Sequence, residues 1–279
     1  MSYLIVGGNG MLGRALRIAC ERDGRPFRAV GPPGFDISNE SQVEAAVSGH
    51  TVVFNCAAYT DVDGAESDEA AANKVNGLGV ELLAKACARR GIFLVHYSTD
   101  YVFSGHATQP YQVDEPHAPV GAYGRSKARG ERALWNAGGP NLLVRTSWLY
   151  APWGHNFVRS IARTSAQKPV ITVVNDQRGR PSSAEHVART SLELIYRNAR
   201  GTLHVTDGGE CTWFEFAQEI VRLSGNACEV RPCTSAELAR PARRPPYSTL
   251  DLALTEKLLG PMPHWHDNLR SVMSRLEPL

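Results

Sequence analysis

The chain has 279 residues, of which 43% are hydrophobic and 21% are charged, and its formal net charge is +2. This length and composition are typical of a globular protein with one large or two modest domains. The small net charge gives no reason to expect nucleic acid or a membrane surface as a partner. No apolar run approaches the ~20 residues that a membrane span needs, so we expect a soluble, cytoplasmic protein.

The six cysteines are scattered along the chain, mostly within apolar segments. Only Cys228 and Cys233 lie close together, and their spacing is not that of a zinc site. We therefore expect six reduced structural thiols and no metal site.

The first thirty residues predict a βαβ unit with a glycine-rich turn. A short apolar strand, Tyr3–Val6, is followed at once by Gly7, Gly10 and Gly13 and then by helix-forming residues. Phe27–Val30 is the next predicted strand. The glycines permit a tight turn and close backbone approach, and the helix N-terminus offers free N–H groups to a pyrophosphate. A glycine triplet in this position predicts dinucleotide binding.

The acidic residue that commonly contacts the adenosine ribose is missing from the end of the second strand. Residues 31–34, with the sequence Gly-Pro-Pro-Gly, occupy that region, and Asp36 and Ile37 follow them. Asp36 could reach the adenosine end of a cofactor. Alternatively, Asp36 or Ser38 could cap the helix predicted over residues 40–47. The choice between NAD and NADP stays open on this evidence.

Further strands and helices alternate up to about residue 145. Strands are predicted over residues 51–56, 92–95 and 141–144, and helices over residues 65–90 and 121–135. This alternation predicts an α/β fold with a Rossmann-type, doubly wound parallel sheet. Small residues end the third strand, in the sequence Asn-Cys-Ala-Ala-Tyr-Thr. They would let a ligand lie close, although close packing alone explains them equally well.

Beyond residue 145 the pattern is less regular and predicts a smaller, mixed domain. The predicted elements are helices over 157–167, 184–196, 213–223 and 265–276, strands over 170–174 and 202–205, and a polar turn over 175–181. We expect residues 1–150 to form an NAD(P)-binding domain to which segments near 184–207 return. Residues 151–279 would then form mainly the substrate domain, and a cleft between two domains is a usual place for a ligand.

Thr99, Tyr123 and Lys127 predict a proton-handling site. Thr99 follows a buried strand, and Tyr123 and Lys127 lie four residues apart at the start of a helix, hence on one face. An ordinary Tyr titrates near ~10, and a nearby ammonium would lower that pKa. Tyr123 could then protonate a carbonyl oxygen that Thr99 orients while hydride reaches the carbonyl carbon. Without this context, such residues are more often surface or capping residues.

With these motifs the chain resembles the extended short-chain dehydrogenase/reductases, and among them the dTDP-4-dehydrorhamnose reductase family. The resemblance runs almost from end to end. The stretches that carry it are Gly7-x-x-Gly10-x-x-Gly13, residues 55–63, residues 98–103, Tyr123-x-x-x-Lys127 with Gly130-Glu131, residues 145–148, Asn156-Phe157, Asn175-Asp176-Gln177-x-Gly179-x-Pro181 and residues 241–245.

The resemblance implies NAD(P)H-dependent reduction of the C4 keto group of a nucleotide-linked 6-deoxy-4-keto sugar, with NADPH or NADH as cofactor. The catalytic residues that it implies are Thr99, Tyr123 and Lys127. The implied cofactor-binding residues are Gly7, Gly10, Met11, Leu12, Gly13, Asp36, Ile37, Ala58, Tyr59, Thr60, Tyr97, Tyr123 and Lys127. The implied substrate-binding residues are Thr99, Asp100, Tyr101 and Trp148.

Two kinds of residue in the second half could also meet the substrate. Trp148 offers a flat apolar face to a deoxysugar, with core filling as the alternative. Arg243 or Arg244 could meet a diphosphate, although a solvated loop explains these arginines at least as well.

One departure from the family pattern concerns metal and dimer formation. In some members Glu residues hold Mg²⁺ at a dimer interface, one of them just after the glycine turn. Arg14 and Ala15 stand there in this chain. Neither that metal nor that dimer is therefore assumed, and a homodimer stays possible.

Three alternative functions remain compatible with the same motifs. The chain could reduce another dTDP-4-keto sugar, because the catalytic residues would look the same. It could also be a non-catalytic regulatory subunit of the same fold, although intact Thr99, Tyr123 and Lys127 argue against this. An epimerase or dehydratase is less favoured, since a dehydratase needs an acidic pair beside Thr99 and only Asp100 follows it.

Overall fold

The computed structural model describes residues 2–277, and twelve strands and twelve α-helices lie in this part of the chain. In chain order the strands are β1 (Tyr3–Val6), β2 (Phe27–Val30), β3 (Val52–Asn55), β4 (Phe93–Thr99), β5 (Asn141–Thr146), β6 (Leu149–Tyr150), β7 (Val170–Val174), β8 (Arg178–Gly179), β9 (Ser182–Ser183), β10 (Gly201–His204), β11 (Cys211–Thr212) and β12 (Glu229–Cys233). The helices are α1 (Met11–Arg22), α2 (Glu40–Val47), α3 (Gly64–Ser67), α4 (Glu69–Asn73), α5 (Val80–Arg89), α6 (Ala122–Ala137), α7 (Phe157–Gln167), α8 (Ala184–Tyr196), α9 (Trp213–Ser224), α10 (Ser235–Leu238), α11 (Ala253–Leu259) and α12 (Trp265–Met273).

The centre of the molecule is a six-stranded sheet in which every strand is parallel to its neighbours. The strand order is β10-β5-β4-β3-β1-β2. The order reverses at β1 and β3, because β2 continues on one side of this pair and β4 on the other. Ligands of open α/β sheets bind outside the carboxyl ends of the strands at such a reversal. The α/β fold with a doubly wound parallel sheet, which the sequence predicted, is confirmed.

Helices cover both faces of the sheet, and this explains its nearly continuous apolar strands. In β1, alternate side chains enter opposite cores, with Ile5 in one apolar cluster and Leu4 and Val6 in the other. Helices α1 and α8 contribute to the first cluster, and α2 and α5 to the second. Full burial of one such side chain contributes about 1.5–3 kcal/mol. The two cores therefore hold the carboxyl ends of the strands rigidly at one edge.

The sequence predicted one helix over residues 65–90, but the structure divides this segment into several helices. Asp68 ends α3 and caps α4, because its carboxylate accepts the Ala71 N–H at 2.8 Å. A π-helical segment, Lys74–Gly79, then separates α4 from α5. Helix α6 packs so closely here that a Cβ at Gly130 would lie 2.2 Å from the Asn76 carbonyl oxygen. Such contacts between distant segments leave no trace in local periodicity.

Strand β4 is longer than the predicted 92–95. The apolar run ends at Val95 and polar residues begin at His96, so the sequence predicts a shorter strand. In the structure His96 is buried and bonds the Asn55 side chain, with 3.1 Å between Nδ1 and Nδ2. The strand continues to Thr99, which pairs with Thr146 of β5. Thr99 is therefore fixed by the sheet rather than by a loop.

The second half contains three two-stranded sheets, which pair β7 with β12, β8 with β11 and β6 with β9. An aromatic cluster fills its centre and includes Tyr150, Phe157, Trp213, Phe216 and Trp265. Strands β6, β9, β11 and β12 and helices α10 and α11 were not predicted from the sequence, and β8 lies within the segment predicted as a polar turn. Strand β10 leaves this half and joins the edge of the main sheet beside β5.

Two further predictions from the sequence concern the cysteines and membrane-spanning helices. All six cysteines lie in the described residues and are free thiols, as the sequence predicted. Within residues 2–277 there is no helix with the length and apolar character that crossing a bilayer requires.

Candidate active site

The turn between β1 and α1 is so tight that side chains cannot fit at two of its glycines. Gly7 has φ of +78°, and a Cβ there would lie 2.6 Å from the Ala57 nitrogen at the end of β3. A Cβ at Gly13 would lie 2.2 Å from the Gly7 oxygen. Gly10 is the N-cap of α1, and within residues 2–277 no side chain caps this helix. The first N–H groups of α1 can therefore bind a phosphate, so the turn fits a pyrophosphate.

The residues after Gly10 have their side chains turned toward the protein. Met11 and Leu12 pack against the apolar core on the α1 face of the sheet. Ile37 is buried, and a Cβ at Gly79 would lie 2.7 Å from its Cγ2. A cofactor would therefore meet mainly the backbone of Met11 and Leu12.

Neither Asp36 nor Ser38 caps helix α2. Asn39 is the cap, and its Oδ1 accepts the Gln42 N–H at 3.1 Å. Asp36 instead accepts the Ser38 N–H at 2.9 Å and the Ser38 hydroxyl at 2.7 Å, and these bonds lower its pKa. The capping alternative was therefore wrong. Asp36 is an oriented, exposed anion with the Lys74 ammonium 3.8 Å away.

The loop that follows β3 is tied to helix α6 through a buried asparagine. The Asn76 Oδ1 accepts the Tyr59 N–H at 2.9 Å, and its Nδ2 donates to the Tyr59 oxygen at 3.0 Å. The same Nδ2 donates to the Ser126 Oγ at 2.9 Å. On either side of Tyr59, Ala58 is half-buried and Thr60 is exposed. Asn76 was not predicted from the sequence, where its only signal is an Asn-Gly pair inside a helix-forming run.

Thr99, Tyr123 and Lys127 meet at the carboxyl end of β4. Thr99 is the last residue of that strand, Tyr123 lies in the first turn of α6 and Lys127 lies one turn later. The Thr99 hydroxyl is within hydrogen-bonding reach of the Tyr123 phenol. Lys127 is 3% exposed, and its Nζ donates to the Tyr97 carbonyl oxygen at 2.6 Å. The Tyr97 side chain itself packs into the core.

Asp100 and Tyr101 complete the surroundings of this trio. The Thr99 hydroxyl donates to the Asp100 Oδ1 at 2.9 Å and accepts the Tyr101 N–H at 3.2 Å. The Tyr101 ring meets the Tyr123 ring edge-on, with 5.9 Å between centroids. A hydroxyl has a single proton. Thr99 can therefore donate to a ligand only after this proton turns away from Asp100.

Burial dominates the ionisation of the site. It raises the pKa of Tyr123, the Asp100 carboxylate raises it further, and the Thr99 hydroxyl lowers it. Burial lowers the pKa of Lys127 to about 8, against the opposing charge of Glu131. Burial also raises the pKa of Asp100 to about 6. At neutral pH the phenol is therefore protonated and the ammonium is charged. Lys127 was expected to lower the Tyr123 pKa, but here its Nζ binds the Tyr97 oxygen.

Packing covers much of Trp148. Its ring stacks on Trp213 with 3.7 Å between centroids and 10° between planes. A Cβ at Gly179 would lie 2.8 Å from the Trp148 Cε2. The φ of Trp148 is +46°, a strained value for a bulky residue, and this packing holds it there. Only the remaining exposed part of the indole can meet a ligand.

The two adjacent arginines, Arg243 and Arg244, have different surroundings. They belong to residues 240–246, which we call the proline–arginine strap. The Arg244 Nη2 pairs with the Asp63 Oδ2 at 3.0 Å. Arg243 is exposed, makes no ion pair within residues 2–277, and lines a cavity of about 520 Å³ together with Gln177. The cavity therefore offers a cation to an anionic ligand.

A fully buried ion pair between Glu131 and Arg145 fastens α6 to the sheet, and the sequence predicted no role for these two residues. The Glu131 carboxylate accepts the Arg145 Nη2 at 2.7 Å and the Arg145 Nε at 3.0 Å. It also bonds the His117 Nε2 at 2.7 Å. Burial would raise the Glu131 pKa, but the His117 and Arg145 bonds hold it at about 2. Glu131 lies one helical turn beyond Lys127, so this pair supports the helix that carries Tyr123 and Lys127.

Known proteins resemble the chain over nearly its full length. The chain is 41% identical to a probable dTDP-4,6-dihydroxy-2-methyloxan-3-one 4-ketoreductase of Streptomyces antibioticus over 276 residues, which cover 97% of this chain and 94% of that relative. It is 39% identical to a dTDP-4-dehydrorhamnose reductase of Mycobacterium tuberculosis (strain CDC 1551 / Oshkosh) over 281 residues, which cover 97% and 92% of the two chains.

A solved structure and a family model agree with these relatives. The crystal structure of dTDP-4-dehydrorhamnose reductase from Bacillus anthracis in complex with NADP matches with a TM-score of 0.94 and 34% identity, over 98% of each chain. The family model described as RmlD substrate binding domain matches residues 1–277. The chain therefore belongs to the RmlD substrate binding domain family, in agreement with the resemblance that its motifs showed.

Proposed function

We propose that this chain is an NAD(P)H-dependent oxidoreductase that reduces the C4 keto group of a nucleotide-linked 6-deoxy-4-keto sugar. Its substrate is dTDP-4-dehydro-L-rhamnose and its product is dTDP-L-rhamnose. The observation that carries this proposal is the meeting of Thr99, Tyr123 and Lys127 at the carboxyl end of β4, on the same sheet edge as the glycine turn. The names of the M. tuberculosis and B. anthracis relatives support it.

The first half of the chain fits a dinucleotide. The glycine turn leaves room that a Cβ would fill, and the first N–H groups of α1 suit a pyrophosphate. When bound, NADPH or NADH supplies the hydride for the carbonyl carbon. In this proposal residues 1–150, with α8 and β10, hold the cofactor. The proposed contacts are Gly7, Gly10, Met11, Leu12, Gly13, Asp36, Ile37, Ala58, Tyr59, Thr60, Tyr97, Tyr123 and Lys127.

Tyr123 is the proposed proton donor. Its raised pKa keeps the phenol protonated at neutral pH, which suits a group that must give a proton to the substrate O4. As the carbon becomes tetrahedral, the O–H bond of Tyr123 breaks and an O–H bond forms on the sugar. Thr99 orients the same oxygen by donating a hydrogen bond to it, after the Thr99 hydroxyl proton has turned away from the Asp100 carboxylate.

Lys127 stabilises the charge that remains on the enzyme. Once Tyr123 has given its proton, a positive charge brought to the same buried site favours the phenolate, which in this proposal requires the Lys127 Nζ to turn from the Tyr97 oxygen. Lys127 is charged below about pH 8 and is held by the Tyr97 carbonyl. It is also placed to bind hydroxyl groups of the cofactor ribose.

Residues 151–279 supply most of the proposed sugar-nucleotide site. The cavity beside the proline–arginine strap would take the anionic diphosphate, with Arg243 as its unpaired cation. Thr99, Asp100 and Tyr101 would border the sugar. Trp148 would contribute the part of its ring that Trp213 leaves uncovered.

A second candidate is a reductase of a different dTDP-4-keto sugar. The S. antibioticus relative and a dTDP-4-keto-6-deoxy-D-glucose reductase of Streptomyces niveus, 38% identical over 268 residues, carry names of this kind. The catalytic residues would be the same, because the chemistry at C4 is the same. Only contacts around the sugar ring would differ.

A substrate panel tests both candidates. The protein is assayed with several dTDP-4-keto-6-deoxy sugars and with NADPH or NADH, and the product stereochemistry is determined. We expect the highest kcat/KM with dTDP-4-dehydro-L-rhamnose. A higher value with another sugar would favour the second candidate. Turnover of none, together with a stoichiometric protein partner, would favour a regulatory subunit.

A further inference from the structure

Asp63 makes a set of contacts that the proposed reaction leaves without a purpose. It lies in the loop after β3, far in sequence from the proline–arginine strap that it binds. We propose that Asp63 is a positioning residue that latches this strap to the cofactor half of the molecule and fixes Arg244 beside Tyr101. The inference rests on the proposed function, because the strap borders the candidate sugar-nucleotide cavity.

The Asp63 carboxylate uses both oxygens on the strap. Its Oδ1 accepts the Ala242 N–H at 3.1 Å. Its Oδ2 accepts the Arg244 Nη2 at 3.0 Å and the Arg240 Nη1 at 3.3 Å. Burial opposes the charge, but the Arg244 and Ala242 bonds hold the pKa of Asp63 below its ordinary value. Asp63 therefore stays ionised at every pH at which the enzyme would work.

Asp63 does not serve the role that its position suggests. It is the N-cap residue of α3, where an Asp commonly accepts an N–H of its own helix. Its side chain makes no such bond. Asp61 accepts the Gly64 N–H instead, at 2.9 Å. The Asp63 carboxylate is thus directed away from its own helix and onto the strap.

The other end of the strap is held independently. Pro245 approaches Gly105 so closely that a Cβ on the glycine would lie 2.5 Å from the Pro245 Cβ. Pro246 accepts the Arg178 N–H at 2.8 Å. The strap is therefore anchored at its carboxyl end by backbone contacts and at its amino end by Asp63. Loss of Asp63 would free only the part that carries Arg240 to Arg244.

Arg244 connects this latch to the catalytic residues. The Arg244 guanidinium is within hydrogen-bonding reach of the Tyr101 phenol. Burial and the Asp100 charge raise the Tyr101 pKa, and this contact with Arg244 lowers it. The Tyr101 ring in turn meets the Tyr123 ring. Both arginines line the cavity, but Arg244 is only 16% exposed and pairs with Asp63, whereas Arg243 is exposed. One arginine thus orders the site, and its neighbour remains available to the substrate.

Asp63→Asn tests the latch, because the amide keeps the size of the side chain but removes its charge. We expect the KM for the sugar nucleotide to rise about tenfold, the scale of one charge-assisted hydrogen bond, while the KM for NADPH and the Tm stay close to wild type. Asp63→Glu restores the charge and should recover most of the loss. Glu185→Gln is the matched control, since Glu185 pairs with Arg275 at 2.7 Å, has a similar exposure, and does not line the strap cavity.

Hydrogen exchange of the strap amides gives a second readout that needs no substrate. We expect residues 240–244 of the Asp63→Asn apoprotein to exchange at least several-fold faster than in wild type, with no change in Glu185→Gln. Wild-type exchange, an unchanged KM, or an equal KM rise in the control would each overturn the latch. If the wild type reduces no dTDP-4-keto sugar, the proposed function fails, and exchange alone then decides for or against the latch.

Discussion

Tyr123 is surrounded by groups that decide when its proton can leave. Burial and the neighbouring Asp100 carboxylate both disfavour the phenolate, and the Thr99 hydroxyl favours it. A protonated phenol is the form needed for reduction, in which the enzyme gives a proton to the substrate oxygen. The energetic difficulty therefore lies in stabilising the phenolate afterwards, and Lys127 is a buried cation one turn after Tyr123 on the same helix.

Replacing Tyr123 by Phe removes the proton donor and keeps the ring. We expect the fold and the affinity for NADPH to be retained and kcat to fall by at least ~10²-fold, the scale of general acid catalysis. Steady-state kinetics and fluorescence titration with NADPH measure the two quantities. Turnover near that of wild type would remove Tyr123 from the mechanism.

Lys127 should give the reaction an alkaline limit. Burial lowers its pKa to about 8 from an ordinary 10.5, so the ammonium is present below about pH 8 and is lost above it. Tyr123, with its raised pKa, stays protonated over this range. We expect kcat/KM for NADPH, which reports the free enzyme, to be level between the Asp100 pKa of about 6 and about pH 8, and to fall above it. A profile that stays level to about pH 10 would contradict this role of Lys127.

The candidate catalytic residues could be proposed from the sequence because their types and spacing are local. Tyr123 and Lys127 share a helix face, and the glycines follow a strand directly. Partners that meet only after folding could not be recognised. Asp63 and Arg244 are distant in sequence, and so are Asn76 and Ser126, and no local pattern joins the members of either pair.

At the scale of elements, the proposed function relies on the βα turn to position the cofactor and on helix α6 to position the substrate. The turn places the first N–H groups of α1 at the end of β1. Helix α6 presents Tyr123 and Lys127 on one face and is fastened to β5 by Glu131 and Arg145. The turn depends on Gly13 having no side chain, and the position of α6 depends on the charge of Glu131.

Gly13→Ala tests whether the turn requires a residue without a side chain at position 13. The new Cβ would lie 2.2 Å from the Gly7 oxygen, so the turn must open. Wild type should gain about 2.7 kcal/mol of stability at an NADPH concentration of 100 times Kd. We expect Gly13→Ala to show little of the corresponding shift in Tm. Gly34→Ala is the control, because nothing lies within 4 Å of a Cβ there. A full NADPH-induced shift in Gly13→Ala would count against the phosphate cradle.

Glu131→Gln tests the anchor of α6. The change leaves the Arg145 charge buried without its partner, so we expect a loss of about 3 kcal/mol in the free energy of unfolding at neutral pH. The Glu131 pKa is held at about 2 instead of 4.5, so its contribution is complete above pH 4.5 and is lost as pH falls toward 2.

Urea unfolding followed by circular dichroism measures this difference. Glu193→Gln breaks an exposed pair with Arg197 and should cost less than about 0.5 kcal/mol. Equal losses of unfolding free energy in the two variants would show that the buried pair is not the anchor. So would a difference between wild type and Glu131→Gln that does not become smaller in acid.

Prediction of the elements succeeded where local pattern decides them. Strand Phe27–Val30 and helices Glu40–Val47, Phe157–Gln167 and Ala184–Tyr196 occur with the bounds that the sequence suggested. It failed where distant contacts decide. The polar end of β4 became strand because β5 and Asn55 satisfy it, and the run over residues 65–90 was divided by Asp68 and by the packing of α6 on the π-helical segment.

At the scale of the whole molecule, the parallel sheet could be predicted because strands and helices alternate so regularly. The second half could not be predicted in the same detail. Its sheets have only two strands each, and short strands such as β8 carry little periodicity. The strap in particular reads as a solvated loop in the sequence, and only the folded structure shows Asp63 holding it beside the candidate site.

The central claim, that hydride and proton are delivered to one carbonyl group, is tested most directly by following the hydride. The protein is incubated with dTDP-4-dehydro-L-rhamnose and with NADPH that carries deuterium at both hydride positions of the nicotinamide C4. Mass spectrometry and NMR then locate the label. We expect one deuterium at C4 of dTDP-L-rhamnose with wild type and almost no product with Tyr123→Phe. Cofactor oxidation without label at C4, or no oxidation with any dTDP-4-keto sugar, would contradict the account.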